Sequence, residues 1–132
     1  MHKINWKFDN TYSKLSETFR EFVKPTPVHN PEIVIFNHQL AQELNLDFSK
    51  ISNIELSKIF SGNSIPQETQ TLAQAYAGHQ FGHFTMLGDG RAVLLGEHLD
   101  NKKNRYDIQY KGSGRTSFSR GGDGRAALGP ML

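Results

Sequence analysis

No cysteine occurs among the 132 residues, which removes disulfides, thiol nucleophiles and cysteine-held metals from consideration. Long apolar runs are missing as well. The opening Met1-His2-Lys3-Ile4-Asn5-Trp6-Lys7 has no signal-peptide core and no later stretch is apolar enough to span a bilayer, so a cytoplasmic location is expected. An excess of either charge is lacking: fifteen Lys and Arg against thirteen Asp and Glu leave +2. So small a balance points to neither nucleic acid nor a membrane surface as partner. Two glycine patterns are also absent, G-x-G-x-x-G and the P-loop G-x-x-x-x-G-K-[ST].

What is present is the composition of a globular protein, with a hydrophobic fraction of 36% and a charged fraction of 21%. Glycine is distributed unevenly. Of twelve, only Gly62 precedes Gly78, suggesting a packing scaffold over residues 1–75 and a glycine-rich, ligand-facing segment over 76–132 of one domain.

Along the scaffold, Leu15, Phe19, Phe22 and Val23 fall at helical spacing and predict an amphipathic helix over Thr11 to Val23. Pro25, Pro27 and Pro31 stop it and impose an extended linker. Glu32 to Phe36 has the β-branched content of a short strand. Asn37 is placed to cap a helix through Leu44, and Asn53 to cap another ending near Gly62. A further helix is expected over Gln67 to Tyr76.

The glycine-rich segment carries the chemistry. Phe84 to Leu87 and Ala92 to Leu95 are apolar runs flanking Gly88-Asp89-Gly90-Arg91, the signal of a β-hairpin around an Asp-Gly turn. After a polar loop, Arg105 to Lys111 alternates with Tyr106, Ile108 and Tyr110 on one face and Asp107, Gln109 and Lys111 on the other, as a strand requires. Amides bared at a glycine turn, the planar cation of Arg91 and the compact charge of Lys111 together suit a phosphate. On spacing alone, an ordinary hairpin with an exposed lysine is equally open. Asp89 reads as a turn former and not as a catalytic base, since a carboxylate in a tight turn normally bonds backbone.

Two further features flank this unit. His79 and His83 are four apart, but the glutamate of H-E-x-x-H is missing and Gly82 weakens a helix, so packing or local hydrogen bonding is preferred to a metal site. Beyond Ile108 the bases Lys111, Arg115, Arg120 and Arg125 face one acid, Asp123, among hydroxyls and glycines. That pattern suits a polyphosphate and equally a solvated basic loop. The pentapeptide Gly-Asp-Gly-Arg-Ala occurs at both Gly88 and Gly122 without flanking similarity, which marks repeated turn chemistry and not a duplicated domain.

The runs Tyr76-Ala-Gly-His-Gln-Phe-Gly82, Gly88-Asp-Gly-Arg-Ala92 with Leu95-Gly96-Glu97, Asp107-Ile-Gln-Tyr-Lys111-Gly-Ser-Gly114 and Phe118-Ser-Arg-Gly-Gly-Asp-Gly-Arg-Ala126 resemble the selenoprotein O family, called YdiU in bacteria. The resemblance extends from about Trp6 to the end of the chain. It implies pseudokinases that transfer AMP from ATP to protein hydroxyls, with the nucleotide reversed relative to ordinary kinases. Carried over, it implies that Gly88, Gly90 and Arg91 contact nucleotide, that Lys111 engages phosphate, and that Asp123 and Gly124 form a second nucleotide-contacting loop. The family's chain is several times longer. Its helix glutamate, its catalytic aspartate and the Asn and Asp that hold magnesium or manganese match nothing in these 132 residues.

The resulting expectation is an α+β fold, a small antiparallel β-sheet with flanking helices resembling the N-terminal lobe region of a protein-kinase-like fold. Its expected function is the ATP-binding part of a protein adenylyltransferase acting on Ser, Thr or Tyr hydroxyls of proteins, inactive alone. A noncatalytic nucleotide-binding or protein-interaction module is the alternative, and a fragment of an ATP-dependent protein kinase a further one. Target proteins and oligomeric state are not legible.

Overall fold

The computed structural model describes residues 3–80 and 83–129. Five strands form an antiparallel sheet: β1 (Arg20–Phe22), β2 (Leu72–Gln80), β3 (His83–Gly88), β4 (Ala92–Leu99) and β5 (Arg105–Lys111). Two helices, α1 (His38–Glu43) and α2 (Asn53–Ser61), flank it. The α+β class is as expected. Strand order is β1-β2-β4-β5, with β3 also paired to β2.

The expected hairpin between Phe84–Leu87 and Ala92–Leu95 does not form. β3 and β4 instead lie in succession along one edge of β2, both antiparallel to it. Between the pairs Ala75↔Gly88 and Leu72↔Leu94, β2 advances three residues while its partner advances six, so the Gly88-Asp89-Gly90-Arg91 segment is a bulge in a continuing strand. Asp89 decides this. Its N–H donates to the Gln74 carbonyl (2.9 Å) and its carboxylate accepts the Gln74 N–H (2.9 Å), tying the segment to β2 instead of letting it reverse. The reversals fall elsewhere. β2 and β3 pair out to Gln80↔His83, with Phe81-Gly82 outside the described residues, and β4 is joined to β5 across Asp100–Asn104, where the Asp100 carboxylate accepts the Lys102 and Asn104 N–H groups.

β4 is the spine of the molecule, buried from Ala92 to His98. β5 takes one edge along its whole length, with a one-residue bulge at Leu94/Gly96. The other edge is shared by β2 at Leu94 and by an N-terminal strap: Asp9 N–H donates to Glu97 O, Leu99 N–H to Lys7 O, and Phe8 bridges His98. Leu72, Val93 and Leu95 are the largest fully buried apolar side chains, joined by Leu44, Leu46 and Leu56 from the helical side. Trp6 stacks on Phe8 and meets Phe48 and His98 edge-on. His98 is satisfied on both nitrogens, Nδ1 accepting from Lys7 N–H and Nε2 donating to Leu44 O, an assignment fixed by those partners.

Other local expectations divide by how far they depend on distant partners. Asn37 caps α1, its Oδ1 accepting Leu40 N–H at 2.9 Å. The α2 cap is Ser52, one residue before the expected Asn53, and Gly62 closes the helix with φ 83°. The helix expected over Thr11 to Val23 is replaced by a 3₁₀ turn, Tyr12–Lys14, and by β1. Glu97 draws Thr11 and Tyr12 onto its carboxylate, and the β2 edge offers Phe19 and Val23 backbone partners at Ala75 and Thr71. Gln67 to Tyr76 is likewise no helix, because Leu72 and Ala73 are enclosed as part of β2. Glu32 to Phe36 forms no strand. It has no sheet edge beside it, and Val34 and Ile35 are 65% and 68% exposed.

Candidate functional site

Register brings four of the expected site residues together. Gly88 ends β3, Gly90 and Arg91 lie in the bulge, and Lys111 at the end of β5 stands opposite Ala92, the residue after Arg91. Gly112 N–H donates to Arg91 O at 2.6 Å, stitching the two segments where their cations emerge. Lys111 is exposed while its neighbour Tyr110 is buried, its hydroxyl donating to Ile59 O at 2.8 Å. The lysine thus leaves the sheet on the face away from α2.

Neither Gly88 nor Gly90 has a left-handed φ, so backbone freedom is not why glycine stands there. Space is the reason. A Cβ on Gly88 would sit 2.6 Å from the Phe118 ring, and one on Gly90 2.7 Å from the Phe118 carbonyl oxygen. The loop after β5 folds back over the bulge and fills it with Phe118, Thr116 and Ser119. Thr116 Oγ1 donates to Asp89 O and Ser119 Oγ to Gly90 O (2.7 Å). Sequence reading noted the hydroxyls here but not their target, because nothing local links residue 116 to residue 89.

Gly124 closes the far side of the loop. With φ +73° it packs so tightly that a Cβ would overlap the Gly114 carbonyl, and Gly114 N–H donates to Gly124 O at 3.3 Å. Asp123 is exposed, one carboxylate oxygen accepting Arg125 N–H at 2.9 Å. Arg125 reaches back to Gly112 O (3.3 Å), and Arg115 to Gly122 O (2.8 Å). The first of these bonds joins the second loop to the residue following Lys111.

The electrostatics favour an anion. Among the described residues only Arg105 forms ion pairs, with Asp9 and Glu97; Arg91, Lys111 and Arg120 are exposed and form none. Asp89 is the local counterweight. Burial pushes its carboxyl above the ordinary range, opposed by the hydrogen bonds from Gln74 and Tyr76 and by the charge of Lys111. Tyr76 is pushed up by its own burial and by Asp89. No group of three or more His, Asp or Glu able to hold a metal ion occurs among the described residues. The side chains of His79 and His83 lie outside them.

The bulge is braced by a second glycine loop, and relatives of this chain carry the names of nucleotidyltransferases. The protein nucleotidyltransferase YdiU of Pelagibacter ubique is 65% identical over 129 residues, 98% of this chain and 27% of the relative. Those of Nitrosococcus oceani and Anoxybacillus flavithermus are 60% and 59% identical, over 98% and 97% of the chain and 26% and 27% of the relatives. The family described as protein adenylyltransferase SelO matches residues 2–130. This chain belongs to that family, and it spans about a quarter of the length of the curated relatives it matches.

Proposed function

We propose that this chain is the ATP-binding part of a protein adenylyltransferase that moves AMP from ATP to Ser, Thr or Tyr hydroxyls of proteins. Its segments 1–75 and 76–132 serve as scaffold and nucleotide-contacting region of one incomplete, kinase-like N-terminal lobe. What supports this is the backbone proximity of Arg91 and Lys111, Lys111 pairing with Ala92 and Gly112 N–H bonding Arg91 O, beside a bulge whose glycines admit the loop that packs on it. Triphosphate supplies the negative charge those cations lack, and Gly88, Gly90, Arg91, Lys111, Asp123 and Gly124 are the contacts. Asp123 has a carboxylate oxygen left over from Arg125 for a nucleotide hydrogen-bond donor.

Transfer from ATP needs charge compensation and alignment of donor and acceptor. Magnesium or manganese would neutralise phosphate charge when bound, and the described residues supply no cluster to hold it. On this reading the 132-residue chain binds nucleotide and does not transfer it. Titrating ATP into the wild-type chain and Lys111→Ala, with and without magnesium, tests the site. The variant is expected to bind about tenfold more weakly, the scale of one lost charge-assisted hydrogen bond. Equal affinities would remove Lys111 from the site, and robust AMP incorporation into a protein by this chain alone would contradict the division of labour.

A further inference from the structure

We propose that Thr116 and Ser119 are positioning residues for phosphate, their hydroxyls turning two consecutive peptide planes of the bulge so that the Gly90 and Arg91 N–H groups face the anion. The inference rests on the nucleotide reading above and adds to it what aims the backbone. Each hydroxyl has one proton to give and uses its acceptor side within its own turn. Thr116 Oγ1 accepts Phe118 N–H (3.1 Å) and Ser119 Oγ accepts Thr116 N–H (2.8 Å). The protons are therefore directed outward, to Asp89 O and Gly90 O.

All peptide bonds described are trans. In a planar trans peptide the N–H points opposite to the carbonyl of the preceding residue. Drawing Asp89 O towards Thr116 aims the Gly90 N–H away from the clamp, and drawing Gly90 O towards Ser119 does the same to the Arg91 N–H. Among the described residues neither N–H has a hydrogen-bond partner. Arg91 O, taken by Gly112 N–H, fixes the next plane beside Lys111. Two successive amides turned to one side form an anion-binding concavity. Glycine at 90 is what admits the clamp, since a side chain there would meet the Phe118 carbonyl. The outer side of the clamp is pinned to β1 by Ser117 N–H donating to Glu21 Oε1 at 3.2 Å.

The test titrates inorganic triphosphate and ATP into the wild-type chain and into Thr116→Val, Thr116→Ser, Ser119→Ala and Lys111→Ala, and records ¹⁵N–¹H spectra. Thr116→Val and Ser119→Ala are expected to weaken triphosphate binding about fivefold each, with Thr116→Ser within about twofold of wild type. The Gly90 and Arg91 amide resonances should shift on triphosphate addition in wild type and shift less in the two weakened variants. A merely structural role would lower Tm without altering those two resonances selectively. If Thr116→Val does not fold, the half-buried Ser119 carries the test. Wild-type affinity in Ser119→Ala and Thr116→Val, with Lys111→Ala weakened, overturns the proposal and leaves the nucleotide reading standing. Unchanged binding by Lys111→Ala, or no triphosphate binding by wild type, overturns both.

Discussion

Asp89 is a carboxylate within the proposed nucleotide site, and its surroundings say why it is tolerated. It is buried, it accepts the Gln74 N–H, and Lys111 lowers the cost of its charge. Because its folded pKa is raised, the protonated form is favoured by folding; the contribution is complete below the ordinary carboxylate value and is lost as pH rises through the raised one. Asp89→Asn keeps an acceptor for Gln74 and removes the charge. Its stability should therefore fall less than that of wild type as pH rises from 4 to 7, and its triphosphate affinity at neutral pH should rise, about twofold to fivefold for one less negative charge near the surface. Thermal melts across pH and a binding titration check both; a loss of affinity would assign the carboxylate a direct contact with the ligand. Tyr110 offers a parallel case on the opposite face, its phenol pushed by burial to about 12. Wild-type stability should decline between pH about 10, the free phenol value, and that raised value, and Tyr110→Phe should flatten the decline while costing about 1 kcal/mol at pH 7 for the lost bond to Ile59 O.

The elements around the site are held by two devices, the clamp loop and the N-terminal strap. The strap turns on Glu97, whose buried carboxylate accepts Thr11 Oγ1–H (2.6 Å), Tyr12 N–H (2.8 Å) and Arg105 (3.2 Å). Glu97→Ala would leave a backbone amide, a hydroxyl and part of a guanidinium without their acceptor, and a loss of about 2–4 kcal/mol by denaturant unfolding is expected, Arg105 being partly solvated. What the sequence disclosed of these elements was what is decided within a few residues. The Asn37 cap, the Gly62 stop and the alternation of β5 are local transactions and were legible. The Gly88–Arg91 hairpin was not, because an Asp-Gly signal says that the chain bends and not which strand it then joins; Gln74, fifteen positions back, settled that. The helices expected over Thr11–Val23 and Gln67–Tyr76 failed for the same reason, since an available sheet edge overrides a local helical preference. The repeated Gly-Asp-Gly-Arg-Ala makes the point within one molecule. Asp89 bonds a neighbouring strand, whereas Asp123 bonds Arg125 two residues on.

At the scale of the molecule, the segment around β1 leaves apolar surface uncovered: Leu15, Phe19 and Phe22 are 42%, 49% and 41% exposed. The isolated chain should associate reversibly as concentration rises, and Phe19→Ser should shift sedimentation towards the monomer without lowering triphosphate affinity. Unchanged association in that variant would point to another face. The strap has a consequence for how such a chain emerges during synthesis. Lys7 to Asp9 are made some ninety residues before the partners they bond, Glu97 to Leu99. The nascent strap must wait, unpaired and with Trp6 bare, until β4 appears, so a pause in translation before that point would prolong its exposure to chaperones and proteases.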